Sequence, residues 1–201
     1  MTEQNKTPTK DKIMRVAAAL FSVKGYDKVT TREITSAVGI TPASLYYYFS
    51  SKEDLLKSLY NVYTEEHHKN MPDVEELLRL AETEGPYEVL MRTEFHYNDD
   101  IREFLDQILV TAARKIYADS ESEHFFRENV FNPIENTLRP LLRRMMDLGK
   151  IKPIDLDTFM RLLTYYCFSA AALNNSPLKQ SASEYQSGMS FIFSMIAPTG
   201  T

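Results

Sequence analysis

Residues 29–56 read VTTREITSAVGITPASLYYYFSSKEDLL, and this segment opens with the start and stop signals of a short helix. Thr30 followed three residues later by Glu33 is a capping box, in which each side chain accepts a hydrogen bond from the other residue's backbone N–H. Gly39 is suited to the left-handed conformation in which many helices end. The pattern predicts a capped helix between Thr30 and Gly39.

A second helix is predicted directly after that glycine. Thr41 can cap it, and Pro42 takes its first position, where a missing N–H costs nothing. Leu45 and Phe49 then fall on the inner face, and the first turn is left with small and polar residues. Two capped helices separated by the Gly-Ile pair 39–40 predict a helix-turn-helix.

Similar signals flank this pair of helices. Upstream, the apolar residues of 11–24 fall on one helical face, and Gly25 follows as a stop signal. Downstream, Ser50 or Ser51 offers an N-cap before the next apolar run. Three short helices within roughly fifty residues predict an N-terminal helix-turn-helix domain over residues 1–54.

This part of the chain resembles the DNA-binding domain of the tetracycline-repressor (TetR) family of bacterial transcription regulators. The resemblance covers about the first quarter of the chain. Thr35 stands where the family usually has Ala, and Tyr48 where His is common. The matching motifs are IMRVAAALFSVKGY (13–26), TTREI (30–34), GI (39–40), LYYYF (45–49) and SKEDL (51–55).

The resemblance implies ten DNA-contacting residues. Arg32 is the one side chain among them that could make a bidentate contact to guanine. The run 45–49 could alternatively consist of core aromatics alone. The implied contacts are Thr31 and Arg32 to backbone and base, Thr41, Pro42, Ala43 and Ser44 to base edges, Tyr47 to thymine methyls or sugar, and Tyr46, Tyr48 and Lys52 to phosphates.

Charge is distributed unevenly along the chain, whose formal net charge is -5. Residues 1–54 hold eight Lys and Arg against six Asp and Glu, whereas the remainder is acidic. This difference is a weak indication that the N-terminal part meets a polyanion. Lys6, Lys10 and Lys12 form a possible basic arm along the DNA backbone or minor groove.

Residues 55–201 repeat helical apolar spacing, which predicts an all-α fold with Pro133 and Pro140 kinking or splitting one helix. Residues 156–173 are apolar nearly all round, so this helix must be buried on more than one side. It could lie at the centre of its own monomer. The resemblance instead implies a ligand-binding domain that forms a homodimer through residues 155–174 and 182–196.

Aromatic, methionine and polar residues on the middle helices could line a ligand cavity. At helical spacing such residues are more often plain core. The candidates are Tyr63, Met91, Phe95, Phe104, Ile108, Thr111, Phe126 and Tyr166.

Other classes of protein and site find little support. Cys167 is the single cysteine, which excludes a disulfide within the chain and fits an inert packing residue. Glu65 and His68 share a helix face but lack a second paired motif, so we expect no metal. We also expect no cofactor and no membrane span. No phosphate loop, HExxH or Gly-flanked nucleophile indicates an enzyme.

The sequence therefore predicts a regulator in the bacterial cytoplasm, associated with the nucleoid. The leading hypothesis is a dimeric repressor that a small-molecule effector releases from a palindromic operator in duplex DNA. The alternative is a helical DNA-binding protein that answers to a protein partner, or acts as an activator, without a small-molecule pocket.

Overall fold

The computed structural model describes residues 9–93, 97–173 and 180–197, and the regular structure in those ranges is helical. The all-α prediction is thereby confirmed. No helix in those ranges is long and apolar enough to cross a membrane. The elements are α1 (Thr9–Lys24), a 3₁₀ turn (Tyr26–Lys28), α2 (Thr31–Val38), α3 (Pro42–Tyr48), α4 (Lys52–Lys69), α5 (Val74–Thr83), α6 (Pro86–Met91), α7 (Asp99–Lys115), α8 (Ser120–Phe126), a π-helical segment (Arg127–Phe131), α9 (Asn132–Asp147), α10 (Leu156–Leu173) and α11 (Ala182–Ser194).

The caps predicted around the helix-turn-helix are confirmed. The Thr30 side chain accepts from the Glu33 N–H while the Glu33 carboxylate accepts from the Thr30 N–H, so the capping box is complete. Gly39 ends α2 with φ 80° and ψ 37°, a left-handed conformation that any residue with a Cβ adopts at a cost. The Thr41 side chain caps α3, and Ser51 is the serine that caps α4.

One apolar core joins α1–α4 to α7 and α8. Helix α4 runs through position 54, and its apolar residues from Leu55 onward lie in the same core as Leu45 and Phe49. The domain boundary between residues 54 and 55 stays a prediction. The apolar core itself includes residues from both sides of that boundary. The residues of this core with the smallest exposure are Ile13, Ala17, Ala18, Phe21, Val29, Ile34, Leu45, Phe49, Leu55, Leu59, Ile108, Ala112 and Phe126.

A second core joins α5, α6, α9, α10 and α11. Its members follow the apolar stripes that the sequence predicts for these helices, so burial again follows the helical period. The residues with the smallest exposure here are Ala81, Val89, Leu90, Leu141, Leu142, Met145 and Leu163.

Helix α1 lies along α7, and polar contacts join the two helices near both ends of α7. Arg15 forms an ion pair with Asp100 at 2.9 Å, and its guanidinium carbon lies 4.9 Å from the centre of the Phe104 ring. At the other end, the Arg114 guanidinium donates to the Ser22 carbonyl. The helix-turn-helix part is therefore seated on the C-terminal part through the segment of α1 from Arg15 to Ser22.

The Tyr26 ring lies between two ammonium groups. The Lys52 Nζ is 4.1 Å from the ring centre and the Lys115 Nζ is 4.5 Å from it. The Tyr26 hydroxyl donates to Glu53 at 3.1 Å. Each lysine makes a cation–π contact with the same ring, which ties the start of α4 to the end of α7.

The two prolines of the long α8–α9 region behave differently. Pro140 lies inside α9 and does not split it. Pro133 is the second residue of α9, and Asn132 alone separates it from the π-helical segment. Pro133 therefore marks the break in regular α-helix, and Pro140 is accommodated within it.

Candidate DNA interface and effector cavity

The first turn of α3 presents small side chains to solvent. Thr41, Pro42 and Ala43 are exposed, and Ser44 is half-buried. The Thr41 hydroxyl accepts from the Ser44 N–H at 3.2 Å and lies 3.0 Å from the Ser44 hydroxyl. These contacts fix the tip of α3 while leaving its outer surface open to a partner.

The rest of α3 separates into an inner and an outer face. Leu45 and Phe49 are 0% and 1% exposed, whereas Tyr46, Tyr47 and Tyr48 are 51%, 82% and 37% exposed. The rings of Tyr47 and Tyr48 meet edge to face at 5.0 Å. The run 45–49 is therefore not core alone, because its three tyrosines lie on the surface beside the tip.

The start of α2 is also accessible to a partner. Thr31 is half-buried and Arg32 is exposed. Among the described residues, no carboxylate forms an ion pair with the Arg32 guanidinium. Thr35 is buried and its hydroxyl donates to the Arg32 carbonyl at 3.1 Å. Arg32 thus projects from a firmly held backbone with its five donors available for an external acceptor.

The Lys52 ammonium is engaged within the fold. Its Nζ donates to the carbonyls of Tyr26 at 3.0 Å and Val29 at 3.1 Å. An ammonium has three N–H groups, so two of them hold the turn between α1 and α2. The phosphate contact implied for Lys52 stays a prediction, and this residue also has a structural role that the sequence did not indicate.

The possible basic arm is only partly within the described residues. Lys6 lies outside them. Lys12 donates to the Val38 carbonyl at 2.9 Å and so caps the end of α2, and the Lys10 Nζ lies 5.8 Å from the centre of the Phe49 ring. Both described lysines contact the helix-turn-helix itself, which is a different role from a freely extended arm.

The carboxylate of the capping box carries a strongly perturbed pKa. The Lys24 ammonium bonded at 2.9 Å, and then the Thr30 N–H, lower the pKa of Glu33 from 4.5 to about 2. A lowered folded-state pKa means that the charged form stabilises the fold above the ordinary pKa, and that this contribution is lost as pH falls.

We expect Glu33→Gln to unfold at a lower urea concentration than the wild type at neutral pH. The variant keeps the shape of the cap but lacks the charge, so the difference should shrink between about pH 4.5 and pH 2. Urea midpoints followed by circular dichroism across that range measure this effect. A difference that stays constant over the whole range would contradict the assignment.

A cavity of about 670 Å³ lies between the middle and C-terminal helices. Its wall comes from α4, α7, the π-helical segment, α9, α10 and α11. This volume is in the range of small-molecule sites. The lining includes Tyr63, His67, Tyr97, Arg102, Leu105, Asp106, Leu109, Asn129, Val130, Pro133, Ile134, Thr137, Leu138, Leu163, Cys167, Tyr185 and Met189.

Of the eight residues suggested from the sequence as ligand contacts, Tyr63 lines this cavity. Phe95 lies outside the described residues. The others lie elsewhere because helix packing gives them other partners. Phe104, Ile108 and Phe126 are buried in the core that α1 shares with α7, Thr111 donates to the Gln107 carbonyl, Tyr166 donates to the Tyr185 carbonyl, and Met91 is half-buried away from the lining.

His67 is a cavity residue that the sequence analysis missed. It is 4% exposed, and its ring stacks on Tyr63 with 5.6 Å between ring centres. Burial lowers the pKa of His67 to about 4, so the imidazole is neutral at physiological pH. The signal was present in the spacing, since Leu59, Tyr63 and His67 recur every four residues on one face of α4.

Comparisons with known proteins agree with this architecture. A family model described as "Bacterial regulatory proteins, tetR family" matches residues 13–59, the part that holds the helix-turn-helix. The biofilm operon icaADBC HTH-type negative transcriptional regulator IcaR of Staphylococcus epidermidis is 30% identical over 159 residues, which cover 78% of this chain and 79% of that relative. This chain belongs to the TetR family.

Two further matches to this TetR-family protein differ in how much of the chain they cover. IcaR of Staphylococcus aureus is 52% identical over 46 residues, 23% of this chain and 25% of that protein. A TetR-family transcriptional regulator from Agrobacterium tumefaciens superposes with a TM-score of 0.66 at 18% identity, covering 94% of this chain and 97% of that one. The second match shows that the fold extends through the C-terminal domain. The protein is thus a DNA-binding transcriptional regulator.

Proposed function

We propose that this TetR-family regulator is a dimeric repressor that binds a palindromic operator and leaves it when a small molecule occupies the cavity. The observation that carries the proposal is helix α4, which belongs to both sites. Its first residues hold the turn next to α2, and its far end supplies Tyr63 and His67 to the cavity wall. Such a protein acts in the bacterial cytoplasm, on the nucleoid.

The exposed tip of α3 supports insertion into the major groove. Thr41 to Ser44 offer small groups that let the helix approach base edges, and Tyr46 and Tyr48 can donate hydrogen bonds to flanking phosphates. Arg32 supplies the bidentate donor that distinguishes guanine. In a symmetric dimer these elements would meet two half-sites about 34–36 Å apart.

Exposed apolar side chains on α10 and α11 support dimerisation. Leu162 and Tyr165 on α10 are 45% and 67% exposed, and Phe191 on α11 is 67% exposed. Leu162 and Tyr165 are three residues apart on one face of α10, and neighbouring exposed apolar side chains often mark an interaction site. We infer that residues 155–174 and 182–196 of two chains form the dimer interface.

The cavity favours control by a small molecule over control by a protein partner. Effector binding can shift the protein only by the difference in its affinity for the DNA-bound and released conformations. Because Tyr63 and His67 lie on α4, a ligand that repositions them also repositions the helix next to the DNA-binding domain. Selection of bound duplexes from a random pool, repeated with a metabolite panel, tests operator binding and release together.

We expect Arg32→Ala to relax the preference at one base position in each half-site. A bidentate Arg–guanine contact contributes about 1–3 kcal/mol of discrimination. Binding to operators that differ at each position, measured by fluorescence anisotropy, identifies the position read by Arg32. An equal loss of affinity for all sequences would instead assign Arg32 to a phosphate.

Lys52→Ala tests a contact to a phosphate, whereas Arg32→Ala tests a contact to a base. If the remaining N–H of Lys52 meets a phosphate, affinity falls for all sequences and the salt dependence flattens by about one unit of slope. Thermal unfolding of the variant is measured in parallel, because Lys52 also holds the carbonyls of Tyr26 and Val29. An unchanged slope would remove Lys52 from the DNA contacts.

A further inference from the structure

The cavity wall includes the π-helical segment, where the regular α-helical hydrogen bonds are interrupted. The sequence explains this interruption. Pro133 has no N–H, so the Asn129 carbonyl, four residues earlier, lacks the donor that an α-helix would supply. The chain responds with a wider turn, in which the Asn132 N–H donates to the Arg127 carbonyl five residues earlier. Single π-helical turns of this kind are frequent at functional sites.

Asn129 lies in the middle of this turn and lines the cavity. It is 3% exposed, and its Nδ2 donates to the Phe125 carbonyl at 2.9 Å. That bond fixes the orientation of the amide, because a carbonyl accepts from the NH₂ group and not from the oxygen. The Oδ1 atom is buried and accepts no hydrogen bond from the residues that the structure describes.

Apolar atoms make up the larger part of the cavity surface, although the lining also includes polar side chains such as Thr137 and Gln186. Leu105 and Leu109 of α7 and Ile134 of α9 line the same cavity. The charged residues of the lining are more exposed than Asn129, since Arg102 is exposed and Asp106 is half-buried. A buried acceptor favours a ligand that carries a hydrogen-bond donor. An unsatisfied buried acceptor costs more free energy than one hydrogen bond contributes.

We propose that the cavity binds an uncharged, largely apolar molecule whose one O–H or N–H group donates to Asn129 Oδ1. Asn129 is then the residue that determines effector specificity, and Pro133 sets the π-helical turn that presents it. This inference rests on the proposed effector cavity and adds the chemical class of the effector.

A matched pair of probes tests the proposal on the full-length protein. The compounds 1-naphthol and 1-methoxynaphthalene have similar apolar bodies, but only the first can donate a hydrogen bond. We expect the wild type to bind 1-naphthol about tenfold more tightly in calorimetric titrations. The Asn129→Leu variant should bind the two compounds with nearly equal affinity.

Asn136→Leu is the matched control, because Asn136 is an exposed asparagine of α9 outside the cavity lining. It should keep the wild-type preference. A second measurement needs no variant. The ¹³C resonance of the Asn129 side-chain carbonyl in the wild type should move further downfield with 1-naphthol than with 1-methoxynaphthalene.

Equal binding of the two probes by the wild type, or a failure of both to bind, would overturn the inference. So would a donor preference that survives in Asn129→Leu. These outcomes are distinct from failure of the repressor proposal, which would appear as no selection of any duplex sequence.

Discussion

Leu45→Ala is expected to lower the free energy of unfolding by about 2–5 kcal/mol, the cost of removing a leucine side chain from a packed core. Leu45 is 0% exposed and anchors α3 in the core that also contains residues of α1, α2 and α4. The variant should lose operator binding because the tip of α3 is no longer held in place. Urea unfolding followed by circular dichroism, with DNA binding measured in parallel, checks both effects.

Tyr47→Ala is the matched comparison on the same short helix. Its side chain is 82% exposed, so the free energy of unfolding should change by less than about 0.5 kcal/mol while operator affinity falls. The two variants together separate the inner face of α3 from its outer face. Full operator affinity in Tyr47→Ala would show that this ring does not lie at the DNA.

Phe191→Glu is expected to convert the protein to a monomer. The exposed fraction of Phe191 in the single chain is 67%, so the chain should fold normally, but a carboxylate cannot be buried cheaply in an apolar interface. Because a monomer binds one half-site at a time, operator affinity should fall by at least about 100-fold. Sedimentation equilibrium and DNA titration measure the two consequences.

Tyr117→Glu is the control for that variant. Tyr117 is 95% exposed and lies after α7, outside the two helices proposed for the interface. This variant should remain a dimer with normal operator affinity. A dimer that persists in Phe191→Glu would place the interface elsewhere.

The helix-turn-helix was predictable from the sequence because its determinants are local. A capping box, an N-cap and a left-handed glycine each act within a few residues, and Thr30, Gly39 and Thr41 take the predicted roles. The inner face of α3 was predictable for the same reason, since Leu45 and Phe49 are four residues apart on one helix.

The cavity was not predictable in this way because its wall is assembled from helices far apart in sequence. Phe104 and Tyr63 both belong to the core that α1 shares with α7, yet only Tyr63 also lines the cavity. Only the relative positions of α4, α7 and α9 decide between these two environments. The part played by Asn129 depends in addition on the register change before Pro133, which apolar spacing does not encode.

The aromatic ring of Tyr26 is held by Lys52 from one helix and by Lys115 from another. A tilt of α4 alone would pull one ammonium from the ring while the other stayed behind, and a slide of α7 alone would do the reverse. The two helices therefore move as a coupled pair or one of these contacts breaks. The single ring of Tyr26 thus makes the relative placement of α4 and α7 a shared property of the two helices.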